Sequence, residues 1–390
     1  MRSHYKRIGD YVTLVKLKNS DGAISSLKGI NINKHFMPSV ANVNGTDLST
    51  YRVVKKNQFA FNPMHVGRDE VLPISMFEDD EPIIVSPAYV VFEVKDEEEL
   101  LPAYLMMWCR RSEFDRNAWF MTDNSVRGGF SWADFCDMEL PVPSIEKQRE
   151  IVREYNVVND RIALNEQLTQ KLEDTAQAIY KQWFVDFEFP ISKEYAESIG
   201  KPELEGKPYK SSGGDMEYCE ALESEIPSGW QQGSLEQVIQ FSNGKKKPLK
   251  AGEFPIYGGN GVLGYAVDWN NENILAIGRV GHYCGSLFRV FGKCWISDNA
   301  ICGKSLTNQN NFCYYLLKSL KLNEKSEGTG QPLLTQGILK SIPVALPQND
   351  EISEFERISE KTFSLMSLYQ SELASLTSLR STLLSKMTEF

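Results

Sequence analysis

Between Ile151 and Phe184 the chain places its hydrophobic residues alternately four and three positions apart. Ile151, Tyr155, Val158, Ile162, Asn165, Thr169, Leu172, Ala176, Ile179 and Trp183 fall in one register, and eight of these ten are apolar or aromatic. The positions between them are mostly Glu, Asp, Gln, Asn, Lys and Arg, and the stretch holds no Gly or Pro to break a helix. This is a long helix with a single seam, spaced as in a coiled coil. At ~1.5 Å per residue it spans roughly 50 Å, too long to bury its own stripe, so it needs a partner of similar length. The same stepping from Phe355 picks out Phe355, Ser359, Thr362, Met366, Tyr369, Leu373, Leu376, Arg380, Leu383, Met387 and Phe390, again without Gly or Pro.

The segments that lead into the two helices also match. Gly128 to Val142, with Ser131-Trp132 and Leu140-Pro141-Val142, parallels Gly330 to Val344, with Leu333-Leu334 and Ile342-Pro343-Val344. Leu172, Ile179, Tyr180 and Trp183 then correspond to Leu376, Leu383, Leu384 and Met387. The chain is a tandem repeat of globular unit, short Pro-bearing turn and long helix. Ahead of each turn the pattern shortens to strands. In the first unit these are Tyr11 to Leu17, Tyr51 to Val54, Gln58 to Phe61, Pro82 to Val85 and Tyr89 to Val94, then a helix near Leu100 to Arg111. In the second they are Phe254 to Tyr257, Ile274 to Ile277, Gly285 to Val290 and Lys293 to Ile296, with a helix near Phe312 to Lys318. The expected fold is α+β: two mostly-β domains and two long helices that cover each other's seams as a coiled coil, in a tandem repeat. The boundaries read 1–143, 144–187 for the central helix, 188–225 for a polar linker, 226–346, and 347–390 for the C-terminal helix.

Composition narrows the chemistry. The chain has 390 residues, 42% hydrophobic and 24% charged, ordinary for a globular protein of two or three domains. No apolar run reaches the ~18 residues of a membrane span, and the N-terminus reads as having no signal peptide, so a cytoplasmic location is expected. Seven cysteines without a Cys-x-x-Cys pair and four scattered histidines argue against a disulfide framework or metal site. The net charge of −10 is unlike that of a nucleic-acid binder, whose charge is usually basic. Acid, however, collects at Glu78 to Glu81, Asp96 to Glu99 and Glu217 to Glu225, while Lys245-Lys246-Lys247 forms a basic cluster.

No catalytic motif survives inspection. Gly259-Asn260-Gly261-Val262-Leu263-Gly264 fits G-x-G-x-x-G, but Tyr265-Ala266-Val267-Asp268-Trp269 follows where a dinucleotide site would open a helix. Glu93-Val94-Lys95 resembles the tail of a nuclease motif without a placed upstream acid, and Asn62-Pro63-Met64 lacks the second Pro and the aromatic of an adenine methyltransferase. What remains are polar, basic and aromatic loops in both β units. In the first these carry Asn31, Lys34, Lys55, Lys56, Arg68, Asn124 and Arg127; in the second, Lys245, Lys246, Lys247, Tyr257, Asn260, Arg279, Tyr283 and Asn299. Taken singly each reads as an ordinary surface residue. As a set in duplicated domains they suit DNA, where Arg and Lys pair with guanine edges, Asn with adenine, and Lys with phosphate.

The chain resembles the specificity subunits of Type I restriction–modification systems over nearly its full length. The residues that carry the likeness are Leu140-Pro141-Val142-Pro143, Glu146-Lys147-Gln148, Leu172 through Ala176 to Trp183-Phe184, Asp186-Phe187-Glu188-Phe189-Pro190, Gly206 to Gly214, and Ile226-Pro227-Ser228-Gly229-Trp230. Ser86-Pro87-Ala88-Tyr89, Gly278-Arg279-Val280-Gly281 and Asp298-Asn299 add to it. The second repeat departs from the pattern, since Leu346-Pro347-Gln348-Asn349-Asp350-Glu351 lacks the Glu-x-Gln of Glu146 to Gln148. The resemblance implies two target-recognition domains held apart by two long helices packed as an antiparallel coiled coil with a pseudo-two-fold repeat, each domain reading half of a split double-stranded DNA target and the helices setting the spacer. It implies two methylation subunits as partners, with Tyr180, Trp183 and Phe184 as candidate docking contacts unless they face the helix seam. Restriction–translocase subunits would join the full complex. S-adenosylmethionine, ATP and Mg would belong to those partners, leaving this chain non-catalytic and without a cofactor. The alternatives are an enzyme with its own methyltransferase or nuclease activity fused to recognition domains, and a scaffold with lectin-like or peptide-binding β domains.

Overall fold

The computed structural model describes residues 5–39, 45–64, 66, 70–122, 129–328 and 330–388. The chain divides into two compact units, Met1–Glu166 with Ser371–Phe390 and Gln167–Gln370. The first long helix, α1 (Ile145–Phe184), and the C-terminal one, α3 (Asn349–Lys386), each run through both units. All ten seam positions of α1 are buried or half-buried, and so are the described seam positions of α3; Phe390 lies outside the described residues.

In the first unit the two helices run antiparallel. Tyr155 shares a core with Met387, with Ile151, Val152 and Leu384 packed against it. Further along α1 and back along α3, the Arg161 guanidinium donates to both carboxylate oxygens of Glu372 at 2.8 and 2.9 Å. That bidentate pair and the Asn165 amide hold the Glu372 carboxyl below its ordinary range. In the second unit the aromatic end of α1 meets the start of α3: Tyr180, Trp183 and Phe184 lie 5.7, 6.2 and 5.4 Å from the Phe355 ring. A third helix, α2 (Asn310–Ser319), is clamped to both. Glu173 of α1 accepts from Tyr314, Tyr315 and Lys318 at 3.4, 3.1 and 2.6 Å. Glu356 of α3 accepts the backbone N–H groups of Asn311 and Phe312, satisfying two of the donors that a helix N-terminus leaves open.

The repeat is visible in three dimensions. In the first unit strand Tyr5–Arg7 pairs antiparallel with Glu139–Pro141; in the second, Gln231–Ser234 pairs antiparallel with Pro343–Leu346. Each second strand leads straight into a long helix. Each is preceded by a six-residue helix, Trp132–Asp137 or Gln336–Ser341, started by a hydroxyl cap from Ser131 or Thr335. The first unit adds a four-stranded antiparallel sheet in the order Val12–Leu14, Val90–Val94, Phe59–Phe61, Ile74–Met76. Its core is aromatic, with Phe59 stacked on Phe92 at 4.8 Å and Phe61 on Phe135 at 5.4 Å. The second unit holds a six-stranded sheet of β1 (Ile239–Asn243), β2 (Phe254–Gly258), β3 (Gly261–Ala266), β4 (Asn271–Gly278), β5 (Leu287–Ile296) and β6 (Ala300–Ser305), in the order β1-β6-β4-β5-β2-β3. Its neighbours are antiparallel except β2 and β5, which run parallel.

The segment 188–225, expected as a linker, is folded onto the second unit. Tyr209 donates its N–H to Phe189 O at 3.0 Å, and the Phe189 ring stacks on Tyr209 at 4.6 Å and on Trp230 at 5.6 Å. Of the four aromatics in its polar composition, Phe189, Tyr195 and Tyr209 supply the apolar area, while Tyr218 is exposed. Gly214 closes the loop, because a Cβ there would lie 2.4 Å from the Tyr209 ring.

Trp183 is 8% exposed, and Trp183→Ala is expected to destabilise the protein by about 3–5 kcal/mol in denaturant melts. A second outcome concerns pH. Glu351 reaches back to the Gln348 N–H at 2.8 Å, and burial pushes its carboxyl up to about 7, against the opposing pull of that bond. A carboxyl raised in the folded state contributes stability in full below its unfolded pKa of about 4.3, and loses that contribution as pH rises towards 7. Thermal melts should therefore fall between pH 5 and 8 in the wild type, and Glu351→Gln should flatten that fall.

Candidate nucleic-acid interface

The candidates of the second unit converge on one end of the six-stranded sheet. The turn between β5 and β6, Ser297 to Asn299, is the hub. Ser297 N–H donates to Tyr257 O at 2.9 Å, Lys245 N–H to Ile296 O at 2.9 Å, and Arg279 N–H to Asn299 O at 3.2 Å. The β2–β3 turn, with Asn260 at its exposed tip, is joined to this group through Gly259: a Cβ there would touch Gly278 Cα, Tyr283 Cβ and Asn299 O at 3.4, 3.5 and 3.7 Å. Lys245, Asn260, Arg279, Tyr283 and Asn299 therefore sit around one assembly of loops. The loops meet by backbone contact that only glycine allows. At Gly244 a Cβ would fall 1.9 Å from Ser297 O, and at Gly278 it would fall 2.2 Å from Tyr283 O. Gly259 to Gly264 opens no helix and is no nucleotide site; it forms the β2–β3 hairpin turn, with φ +84° at Gly261.

The side chains differ in their freedom. Lys245 and Lys246 are exposed, and Lys247 donates to Leu263 O at 3.2 Å. Tyr257 is half-buried; its ring lies 6.2 Å from Phe288 in the small core beneath the hairpin, and burial raises its hydroxyl pKa. Tyr283 is 47% exposed, with its ring edge against His282. Arg279 is half-buried, and its Nε is enclosed without a hydrogen-bond partner. Outside the candidate set, Leu263, Tyr265, Val267 and Trp269 expose an alternating row on edge strand β3 and beyond, and Lys293 covers Trp269 at 4.7 Å. The period-two pattern of Leu263 to Trp269 is the sequence signal for that row.

In the first unit the structure corrects the reading of Lys34. Its side chain is buried: Nζ donates to Asp115 at 2.7 Å and to Cys109 O, and lies over the Phe114 ring. Burial lowers its pKa, with Asp115 opposing. Lys34 is thus an internal tie and no DNA contact, because its one charge already has a carboxylate in a desolvated place. Asn31 closes the same turn by accepting from His35 N–H at 3.0 Å. Lys55 is exposed, and Lys56 is exposed and paired with Asp80 at 2.7 Å. Arg68, Asn124 and Arg127 lie outside the described residues.

The expected docking contacts also need correction. Tyr180, Trp183 and Phe184 are buried in the second unit's core against Phe312, Tyr315, Phe355 and Trp230. They face the helix pair and α2, so they present no surface to a partner. The nuclease-like Glu93-Val94-Lys95 is likewise occupied: Glu93 accepts from Gln58 at 2.8 Å, and Lys95 donates to Gly9 O and Asp10 O at 3.1 and 2.8 Å. Among the described residues no three His, Cys, Asp or Glu side chains form a metal-binding group, and no helix is long and apolar enough to cross a membrane.

Residues 227–370, which include all of this loop assembly, match the family model of the Type I restriction modification DNA specificity domain. Over that stretch the chain is similar to the Type I restriction–modification specificity subunits. It is 28% identical over 171 residues to the Type I restriction enzyme HindI specificity subunit of Haemophilus influenzae, covering 43% of this chain and 36% of that protein. It is 22% identical over 283 residues to the Type I restriction enzyme MjaIX specificity subunit of Methanocaldococcus jannaschii, covering 64% and 60%. The chain thus spans less than two thirds of the length of these relatives. The crystal structure of a Type I restriction–modification S subunit from M. genitalium has the same fold, with TM-score 0.59 and 17% identity over 98% of this chain and 95% of that one.

Lys34→Ala is expected to cost about 3 kcal/mol, because it strands Asp115 in a buried position. Urea melts should show this loss.

Proposed function

We propose that this chain is the DNA-recognition subunit of a Type I restriction–modification complex. Each β unit reads one half of a bipartite double-stranded target, and the helix pair sets the unread spacer. The observation that carries this reading is the repeat itself: two units, each closed by an antiparallel strand pair that leads directly into a long helix. One such unit serves one half-site, and a repeat serves two. The loop assembly of the second unit supports it further, since it gathers one guanidinium, two amides and a lysine cluster at a single sheet end.

In this reading the chain itself is non-catalytic. Two methylation subunits dock on it and supply the S-adenosylmethionine site, and restriction–translocase subunits supply the ATP and Mg chemistry in the cytoplasm. Partner subunits also explain how a chain of net charge −10 works on DNA, by sharing the basic channel.

Expression with the neighbouring methylation subunit in a methylation-free host, followed by base-modification mapping, should return a split motif of two short halves around a fixed gap. Replacing residues 1–143 should change one half only. A single unsplit motif would contradict the two-reader arrangement.

A further inference from the structure

Among the cationic side chains at the end of the second unit's sheet, Arg279 is held differently from the lysines. Its backbone is fixed on both sides: its N–H donates to Asn299 O at 3.2 Å, while its carbonyl accepts from Leu334 N–H at 2.8 Å and from the Cys284 thiol at 3.4 Å. The two glycines around it remove slack, with Gly278 pressed against the Tyr283 carbonyl and Gly281 at φ +68°. The guanidinium has no carboxylate partner and makes no hydrogen bond among the described residues, and its Nε is already desolvated. Among the other enclosed cations described, Arg111 also leaves its Nε and Nη1 without a hydrogen-bond partner, but it pairs with Glu113 at 3.3 Å and lies over the Trp108 ring at 4.4 Å. Lys34 has Asp115, and Arg289, of β5, donates to Asn311, Ile274 O and Val290 O and stacks on Phe291. An enclosed guanidinium left unpaired is costly unless a ligand completes it. Lys245 to Lys247, in contrast, leave β1 as an exposed run, with long side chains of high rotamer freedom.

Resting on the DNA-recognition reading, we propose that Arg279 is the specificity-determining residue of the second unit and takes a guanine in the major groove through its planar fork, while Lys245, Lys246 and Lys247 take phosphates. The division follows from what each contact needs. Bidentate recognition of guanine O6 and N7 requires a fork whose position is set before binding, and the loop assembly sets it. Phosphate contact requires only charge within reach, and tolerates mobility. Asn299 meets Arg279 through its backbone carbonyl, and Asn260 sits at the exposed tip of the adjoining β2–β3 turn.

The test uses the chain co-purified with its methylation subunit, in wild-type form and as Arg279→Lys, Arg279→Gln and the triple variant Lys245→Gln, Lys246→Gln, Lys247→Gln. Each selects from a randomised duplex DNA library, and binding to the selected duplex is then measured from 50 to 200 mM salt. Both Arg279 variants should lose about 10- to 100-fold of the preference for G at one position of one half-site. Arg279→Lys keeps the charge, so its salt slope should stay that of the wild type, and it decides the case if Arg279→Gln fails to assemble. The triple variant should keep the motif and bind all sequences more weakly, with a salt slope shallower by about 0.9 for each phosphate it no longer neutralises. An Arg279→Lys protein that selects the unchanged motif would overturn the assignment and leave the two-reader proposal standing, as would a triple variant with an altered base preference. A wild-type complex that selects no motif would overturn both.

Discussion

The constraint on which the structure depends is the seam of α1. A helix of 40 residues with one apolar stripe has nothing within its own length to cover it. The cover comes from α3, about 200 residues later, and each helix serves both units in turn. Within the first unit the contact is a shared core with a bidentate Arg161–Glu372 pair at its edge. Within the second it is a packed group of rings around Phe355, with α2 tied in by Glu173 and Glu356. The two carboxylates have different roles: one gathers two hydroxyls and an ammonium, and the other finishes a helix end.

The loop assembly at the end of the second unit's sheet rests on a different device. Its loops are short of hydrophobic cover, and they hold together by backbone meeting backbone at Gly244, Gly259 and Gly278. This gives polar side chains a stiff base without tying them up in internal bonds, so Arg279, Asn260 and Asn299 remain available to a ligand. A stiff presentation of polar groups is what discrimination between bases requires, since a mobile group can satisfy either base.

The periodic parts of this fold are legible from the chain. Every described seam position of both helices is buried or half-buried, and the repeat of turn and helix is matched by the repeat of strand pair and helix. The misread residues have a common feature, which is that neighbours far away in sequence set their roles. Lys34 reads as a loop cation until Asp115, 81 positions on, encloses it. Tyr180 and Phe184 read as surplus aromatics beside the seam until α2, well over a hundred residues later, arrives to cover them. The 188–225 segment reads as polar because its aromatics are sparse, yet Phe189 and Tyr209 stack on each other and Phe189 on Trp230. The residues after the glycine motif already exclude a nucleotide site, but the use of those glycines in bringing loops together shows only in three dimensions. Period is a local property and survives in a single sequence; partnership is not.

The position of Met387 has a consequence for how the protein is made. It is fully buried in the core of the N-terminal unit, beside Tyr155 and Leu384. As the chain leaves the ribosome, that unit can form its sheet and its aromatic centre early, but one wall of its core is still unsynthesised. The second unit must emerge in full before the wall arrives, and at ~5–20 residues per second that delay is on the order of ten seconds or more. Until then the apolar stripe of the first helix is open to solvent, to other nascent chains and to whatever else can cover it. The N-terminal unit is begun first and finished last.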